Sequence, residues 1–308
     1  MIRTSSAHLS VAALSHPGMG GRANEDRFAV SSFRLSEDND TPSVFAIVSD
    51  GIGGHLAGEV AAEMAVEKIS SAVAQCDGQD PVGVLKQAIQ EASEAIVAQS
   101  RDDEQLLGMG TTCACAWVIG KQLYIASVGD SRVYLLRGKH LLQLTTDHTW
   151  VQEAIERGIL TREDAANHPN VHVIRRYLGS PKPPQADTRL RLAREESDTQ
   201  ARSNQGLYLL PGDVILLCTD GLTDVVSDSE MADLIENREL NDAAQRLIQL
   251  ACSREGKDNI TVVLMRMPTP APVPSRFWKW FWVGLGVLFS LGLLIALAAW
   301  LIFGVLLK

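Results

Sequence analysis

Five aspartates stand at the ends of short apolar runs, and that pattern restricts the folds open to this chain. Asp50 follows Val44–Ser49, Asp220 follows Val214–Thr219, and Asp130 follows Leu123–Val128 and Gly129. Asp26 precedes Arg27–Val30, and Asp258 precedes Asn259–Met265. Apolar runs of this length bounded by Gly, Asp and Ser read as strands. Cys113–Ile119 and Val133–Leu136 read the same way. Gly120 and Gly138, between consecutive runs, predict antiparallel hairpins. Ala61, Ala65, Ile69 and Val73 recur at helical spacing, as do Leu85, Ile89, Ala92 and Ile96. A further helical pair is expected near Met231–Ile235 and Ala243–Cys252. Strands and helices come in groups rather than in βαβ alternation, so the fold class is α+β. The stretch from about 150 to 192 is irregular and rich in Arg, Asn, His and Pro, and is expected to be a small mobile insertion.

A single Asp-Gly pair is a common turn. Five strand-end acids brought together repel one another unless a cation joins them. Oxygen ligands without Cys or a His cluster select Mg²⁺ or Mn²⁺ over zinc. Two such ions, roughly 3.5–4 Å apart, can share a water, lower its pKa and clamp a phosphoryl group. That is a hydrolase design, without a covalent nucleophile. Neither GxxxxGK[ST] nor GxGxxG occurs, so kinase and ATPase chemistry have no support. None of the five cysteines is followed by Arg at the sixth position, so a cysteine-phosphatase loop is excluded. No CxxC pair and no regular cysteine spacing occur, which argues against a structural zinc site and a disulfide framework.

The chain has 28 Lys and Arg against 37 Asp and Glu, and an acidic body argues against a nucleic-acid partner. Residues 277–308 differ: they hold Lys279 and Lys308 and no acid. Phe281 to Leu307 is 27 residues without a charge. About 20 apolar residues suffice to cross a bilayer. Trp278, Trp280 and Trp282 at one end and Trp300 near the other fit interfacial anchoring. A C-terminal transmembrane anchor over 277–308 is therefore expected, with 281–307 in the lipid bilayer. Arg276 and Lys279 precede the span and Lys308 alone follows it, which favours a cytoplasmic location for the large domain. The N-terminus lacks a secretory signal pattern, which agrees. Residues 268–276 form a Pro-rich linker, expected to be an extended spacer after a domain spanning 1–267.

Six short motifs occur in order: Arg22-Ala23-Asn24-Glu25-Asp26; Asp50-Gly51-Ile52-Gly53-Gly54-His55 with Gly58-Glu59; Gly110-Thr111-Thr112; Val128-Gly129-Asp130-Ser131-Arg132; Thr219-Asp220-Gly221-Leu222-Thr223-Asp224; and Lys257-Asp258-Asn259-Ile260-Thr261-Val262. Each alone is weak. Together, across about residues 9–266, the set resembles the metal-dependent serine/threonine protein phosphatases (PPM, or type 2C) in their bacterial form. The resemblance implies two packed antiparallel β-sheets flanked by helices, with metals in a cleft at one end. It implies that Asp50 bridges two Mn²⁺ or Mg²⁺ ions and that the Gly51 carbonyl binds one. Asp26 matches a ligand of one ion, with Glu25 acting through water, and Asp220 and Asp258 match ligands of the other. Asp130 matches the acid that, with Asp220, holds a third metal. The region 150–192 corresponds to the flap. A hydroxide bridging the metals would attack phosphorus in line, on phosphoserine or phosphothreonine of proteins that a Ser/Thr kinase has phosphorylated.

Two positions depart from the family pattern. Arg22, matched to the substrate phosphate, lies four residues before Asp26 rather than the usual five. Ile52 stands where animal members carry a His proposed as general acid. His55 is not assigned that role, and Ser131, Arg132, Thr111 and Thr112 are expected to be structural. A membrane-anchored, non-catalytic phosphoprotein-binding module is the alternative, which the intact acids disfavour. A partner-switching phosphatase would share the same chemistry.

Overall fold

The structure, a computed structural model, describes residues 1–269 other than Arg22, Gly54, His55, Asn167 and Arg194, together with 282, 286 and 289–296. The chain divides into two units, Met1–Pro268 and Thr269–Lys308.

The first unit is built on two antiparallel sheets. One has six strands in the order Ile2–Arg3, Arg27–Arg34, Pro42–Ser49, Cys113–Ile119, Gln122–Val128 and Leu207–Tyr208. The other has five, in the order His140–Gln143, Arg132–Arg137, Val214–Cys218, Ile260–Arg266 and Ser10–His16. The α+β sandwich expected from the sequence is thus present, as are the hairpins at Gly120 and Gly138, both with positive φ.

Strand alternation sends neighbouring side chains to opposite faces. Val44, Ala46 and Val48 enter the core between the sheets with Ile215, Leu217 and Val263. Phe45 and Ile47 point outward, onto the helices Leu56–Gln75 and Pro81–Asp102. Cys113 and Cys115 share that outward face and are buried there. On the far side, Leu216, Val262 and Leu264 pack beneath the helices Asp228–Ile235 and Leu240–Ser253. The order is helices, sheet, sheet, helices, so the central strands are buried on both faces, as their continuous apolar runs require.

Three elements differ from expectation. Ser10–His16 is a full edge strand, paired with Ile260–Arg266 from Ile260↔His16 to Arg266↔Ser10. Asp220 does not simply end a strand; it opens the short helix Asp220–Thr223. The irregular stretch contains the helices Trp150–Glu156 and Arg162–Ala166. It is tied to the first sheet through the bridge Ser127↔Asp187, and to the short two-stranded sheet of Gly51–Ile52 and Gly110–Thr111 through Thr111↔Leu178.

Most of the expected membrane span 281–307 lies outside the described residues. Residues 289–296 are helical, and among the described residues no helix is long and apolar enough to cross a membrane.

Candidate metal centre

Strand register gathers the acids. Arg27 is paired with Ser49, so Asp26, one residue before, and Asp50, one residue after, emerge side by side from the same end of the first sheet. In the second sheet, Cys218 is paired with both Val262 and Arg132. Asp220, Asp258 and Asp130 therefore leave neighbouring strands at one end. Asp130 follows a turn at Gly129, whose φ is +102° and where an added Cβ would lie 2.6 Å from the Thr112 side chain. Only glycine suits that position.

Hydroxyls fix the acids in place. Asp26 Oδ2 accepts from Thr219 Oγ1 at 2.8 Å and from Thr261 Oγ1 at 2.7 Å. The Asp50 carbonyl accepts from Thr112 N at 2.9 Å and Thr111 Oγ1 at 2.7 Å, and Asp50 N donates to Thr112 Oγ1 at 3.0 Å. Gly51 meets Gly58 closely: a Cβ on Gly51 would lie 2.3 Å from the Gly58 carbonyl oxygen. Glu25 is buried, its N–H donating to Asn259 Oδ1 at 2.7 Å and its carboxylate lying against Gly58.

Glu25, Asp50, Gly51, Asp220 and Asp258 line a cleft of about 750 Å³, and Asp26 and Asp130 are buried within electrostatic reach of Asp50. Their protonation is displaced accordingly. Burial, with the Asp220 and Asp258 charges added, pushes Asp26 up to about 7 despite its two hydroxyl donors. Burial and the Asp224 and Asp258 charges push Asp220 up to about 6. Asp50 is raised further, by burial and then by Asp26, Asp220, Asp130 and Asp258. Asp130 is also raised, by burial and then by Asp220 and Asp147. All five strand-end acids thus fall within one electrostatic neighbourhood.

Three carboxylate oxygens, Asp26 Oδ1, Asp130 Oδ1 and Asp220 Oδ1, are buried without a hydrogen-bond partner. Orphaned buried acceptors are costly. A divalent cation would satisfy these oxygens and cancel the repulsion together, and an all-oxygen donor set suits Mg²⁺ or Mn²⁺. The residues present fit the metals that the sequence motifs imply.

Two further groups belong to this cleft. His172 Nδ1 lies 3.2 Å from Asp224 Oδ2, and the ligand atoms of His172, Asp220 and Asp224 all fall within 4.8 Å of one another. Asp224 comes alongside Asp220 because a helical turn separates them, Asp224 N donating to the Asp220 carbonyl at 2.8 Å. The sequence offers that i, i+4 spacing as a cue once the helix is known. It offers none for His172, which arrives from the irregular stretch. Arg132 is held by Asp147, at 3.0 Å from Nε and 2.7 Å from Nη2, and by Tyr134 OH at 2.9 Å. It is engaged structurally, as expected. Arg22 and His55 lie outside the described residues.

Residues 19–264 match the Protein phosphatase 2C family. The chain is 38% identical over 236 residues to the serine/threonine phosphatase stp of Listeria welshimeri, covering 74% of this chain and 86% of that protein. The chain belongs to the protein phosphatase 2C family. It is an enzyme of the serine/threonine phosphatase class. The solved serine/threonine phosphatase of S. agalactiae superposes with a TM-score of 0.72 at 30% identity, covering 84% of this chain and 99% of that one. The catalytic domain of PstP, solved in complex with 2 manganese ions, superposes with a TM-score of 0.68 at 32% identity, covering 84% of this chain and 97% of that one.

Proposed function

We propose that this phosphatase hydrolyses phosphoserine and phosphothreonine on proteins without a covalent enzyme intermediate, at two Mn²⁺ or Mg²⁺ ions. Asp50 would bridge them, with the Gly51 carbonyl and Asp26 on one ion, Glu25 through water, and Asp220 and Asp258 on the other. Asp130 with Asp220 would hold a third. When bound, such ions supply an acidified water as nucleophile and positive charge for the phosphoryl oxygens. The chain supplies the rest. Thr219 and Thr261 orient the Asp26 carboxylate so that its other oxygen stays available. Thr111 and Thr112 clamp the backbone at Asp50. Arg22 is proposed to grip the substrate phosphate with its guanidinium fork. With Ile52 at the family's His position, water is proposed to protonate the leaving alkoxide.

The observation that carries this reading is the trio of buried, unpartnered carboxylate oxygens on Asp26, Asp130 and Asp220. A binding module has no use for so costly a cluster. The test is phosphate release from an aryl phosphate and a phosphothreonine peptide with Mn²⁺. Activity should be at least about 1,000-fold above an Asp50→Asn control, given the several kcal/mol that a metal supplies. Peptide binding with no release would instead favour the non-catalytic module.

We also propose that 281–307 anchors the enzyme in the membrane with the catalytic domain in the cytoplasm, on the strength of 27 uncharged residues and their flanking tryptophans. Anchoring would raise the enzyme's effective concentration near membrane-bound kinases or their targets. Recovery of the full chain in the soluble fraction after lysis would refute the anchor.

A further inference from the structure

A second cleft, of about 810 Å³, has the opposite charge to the acidic cleft of the metal centre. Lys86, Arg176, Lys182, Arg189 and Arg202 line it, against the acids Glu156, Asp187 and Asp198. Those acids are committed to particular partners. Asp187 holds Arg189 at 2.6 Å, and Asp198 holds Arg189 at 3.0 Å and lies 3.9 Å from Arg202. Glu156 lies 3.6 Å from Arg189. Lys86, Arg176 and Lys182 are exposed and make no ion pair among the described residues. On a protein whose acids outnumber its bases by 37 to 28, unpaired cations gathered in one concavity form a local site of reversed field.

The cleft is rigidly tied to the metal centre. His172 and Ile174 line the acidic cleft, whereas Arg176 and Lys182 line the basic one, so one segment walls both. Between them, Leu178 exchanges backbone hydrogen bonds with Thr111 at 2.8 and 3.0 Å. Thr111 in turn donates to the Asp50 carbonyl at 2.7 Å. Tyr177 packs against Gly110, where an added Cβ would lie 2.6 Å from its ring. Beyond Lys182, Pro183 and Pro184 stiffen the wall.

We infer that this cleft is a substrate subsite that takes an anionic stretch, either acidic residues or a second phosphate, of the polypeptide whose phosphoester lies at the metal centre. The inference rests on the phosphatase reading and adds a substrate preference to it. A cleft rather than a flat face, and a wall segment that also lines the metal centre, favour a peptide over a lipid surface.

The test uses the full chain with saturating Mn²⁺ and phosphothreonine peptides. Their flanks, up to about eight residues or 28 Å of extended chain from the phosphothreonine, carry Gln, Glu or a second phosphothreonine. Anionic flanks should raise kcat/KM about tenfold at low ionic strength and much less at roughly 0.5 M salt. The double variant K86E/K182E should lose the preference while its aryl phosphate turnover stays unchanged. The Glu and phosphothreonine arms separate the two sources of charge. Binding of the same peptides to Asp50→Asn protein, read by fluorescence anisotropy, decides the question independently of turnover, so a failure of catalysis remains distinguishable from a failure of the subsite. Equal binding and turnover of neutral and anionic peptides would overturn the inference. So would a preference that survives in K86E/K182E. Binding to anionic vesicles that is lost in K86E/K182E, with no peptide preference, would overturn it in favour of a bilayer surface.

Discussion

The ligand role proposed for Asp26 depends on its neighbours as much as on its own carboxylate. Thr219 and Thr261 occupy one oxygen and leave the other bare. Thr261→Val keeps the shape and removes one donor, so Mn²⁺ affinity measured by titrating turnover should fall about 10- to 100-fold, the usual effect of losing a group that orients a ligand. Gly129→Ala combines a φ of +102° with a 2.6 Å clash against Thr112. It should cost about 2–4 kcal/mol, seen as a drop of roughly 5–10 °C in Tm. Asp50, Asp130 and Asp220 were readable because Asp beside Gly at the end of an apolar run is a local pattern, and Asp26 and Asp258 because each immediately precedes such a run. Asp224 was not, although its motif was, because its nearness to Asp220 requires the helical turn Asp220–Thr223. His172 reaches the cleft only through tertiary packing, which leaves no mark on its own neighbourhood in sequence.

At the level of elements, the register pairs Arg27↔Ser49 and Cys218↔Val262 do the assembling. The central strands were recognisable from continuous apolar runs. Ser10–His16 was not: as an edge strand it buries little beyond Ala12, and its Ser and His positions dilute the alternation. The stretch 150–192 hid its order in polar contacts rather than in periodicity. Its anchor is Asp187, which accepts from His148 Nε2 at 3.2 Å and from Arg189 at 2.6 Å. Burial alone would raise this carboxyl, but His148 and Arg189 outweigh it and hold it well below the usual carboxylate range. A depressed folded-state pKa gives stability that is present above the unfolded value, about 4, and is lost as pH falls below it. Asp187→Asn should therefore cost about 1–3 kcal/mol at pH 7, by removing the buried countercharge of Arg189 and leaving it only the more exposed Asp198 and Glu156. In denaturant melts its difference from the native protein should shrink as pH drops below about 4. A constant difference across that range would contradict the assignment.

For the whole molecule, folding and metal binding are one equilibrium, because the acids that repel one another in the cleft come from both sheets. Chelation should lower Tm reversibly. Mn²⁺ at about 100 times its Kd should restore roughly 2.7 kcal/mol. Removing 277–308 should leave aryl phosphate turnover unchanged, since Met1–Pro268 forms its own compact unit. The same truncation should release the enzyme from the membrane fraction, which checks the proposed anchor separately from the chemistry.

The most direct measurement is anomalous diffraction at the manganese edge from crystals of the protein grown with Mn²⁺. Two peaks roughly 3.5–4 Å apart, with the Asp50 carboxylate between them and Asp26, Asp220 and Asp258 around them, are expected. Peaks elsewhere on the surface, or none among these acids at saturating Mn²⁺, would contradict a metal-dependent phosphatase centre.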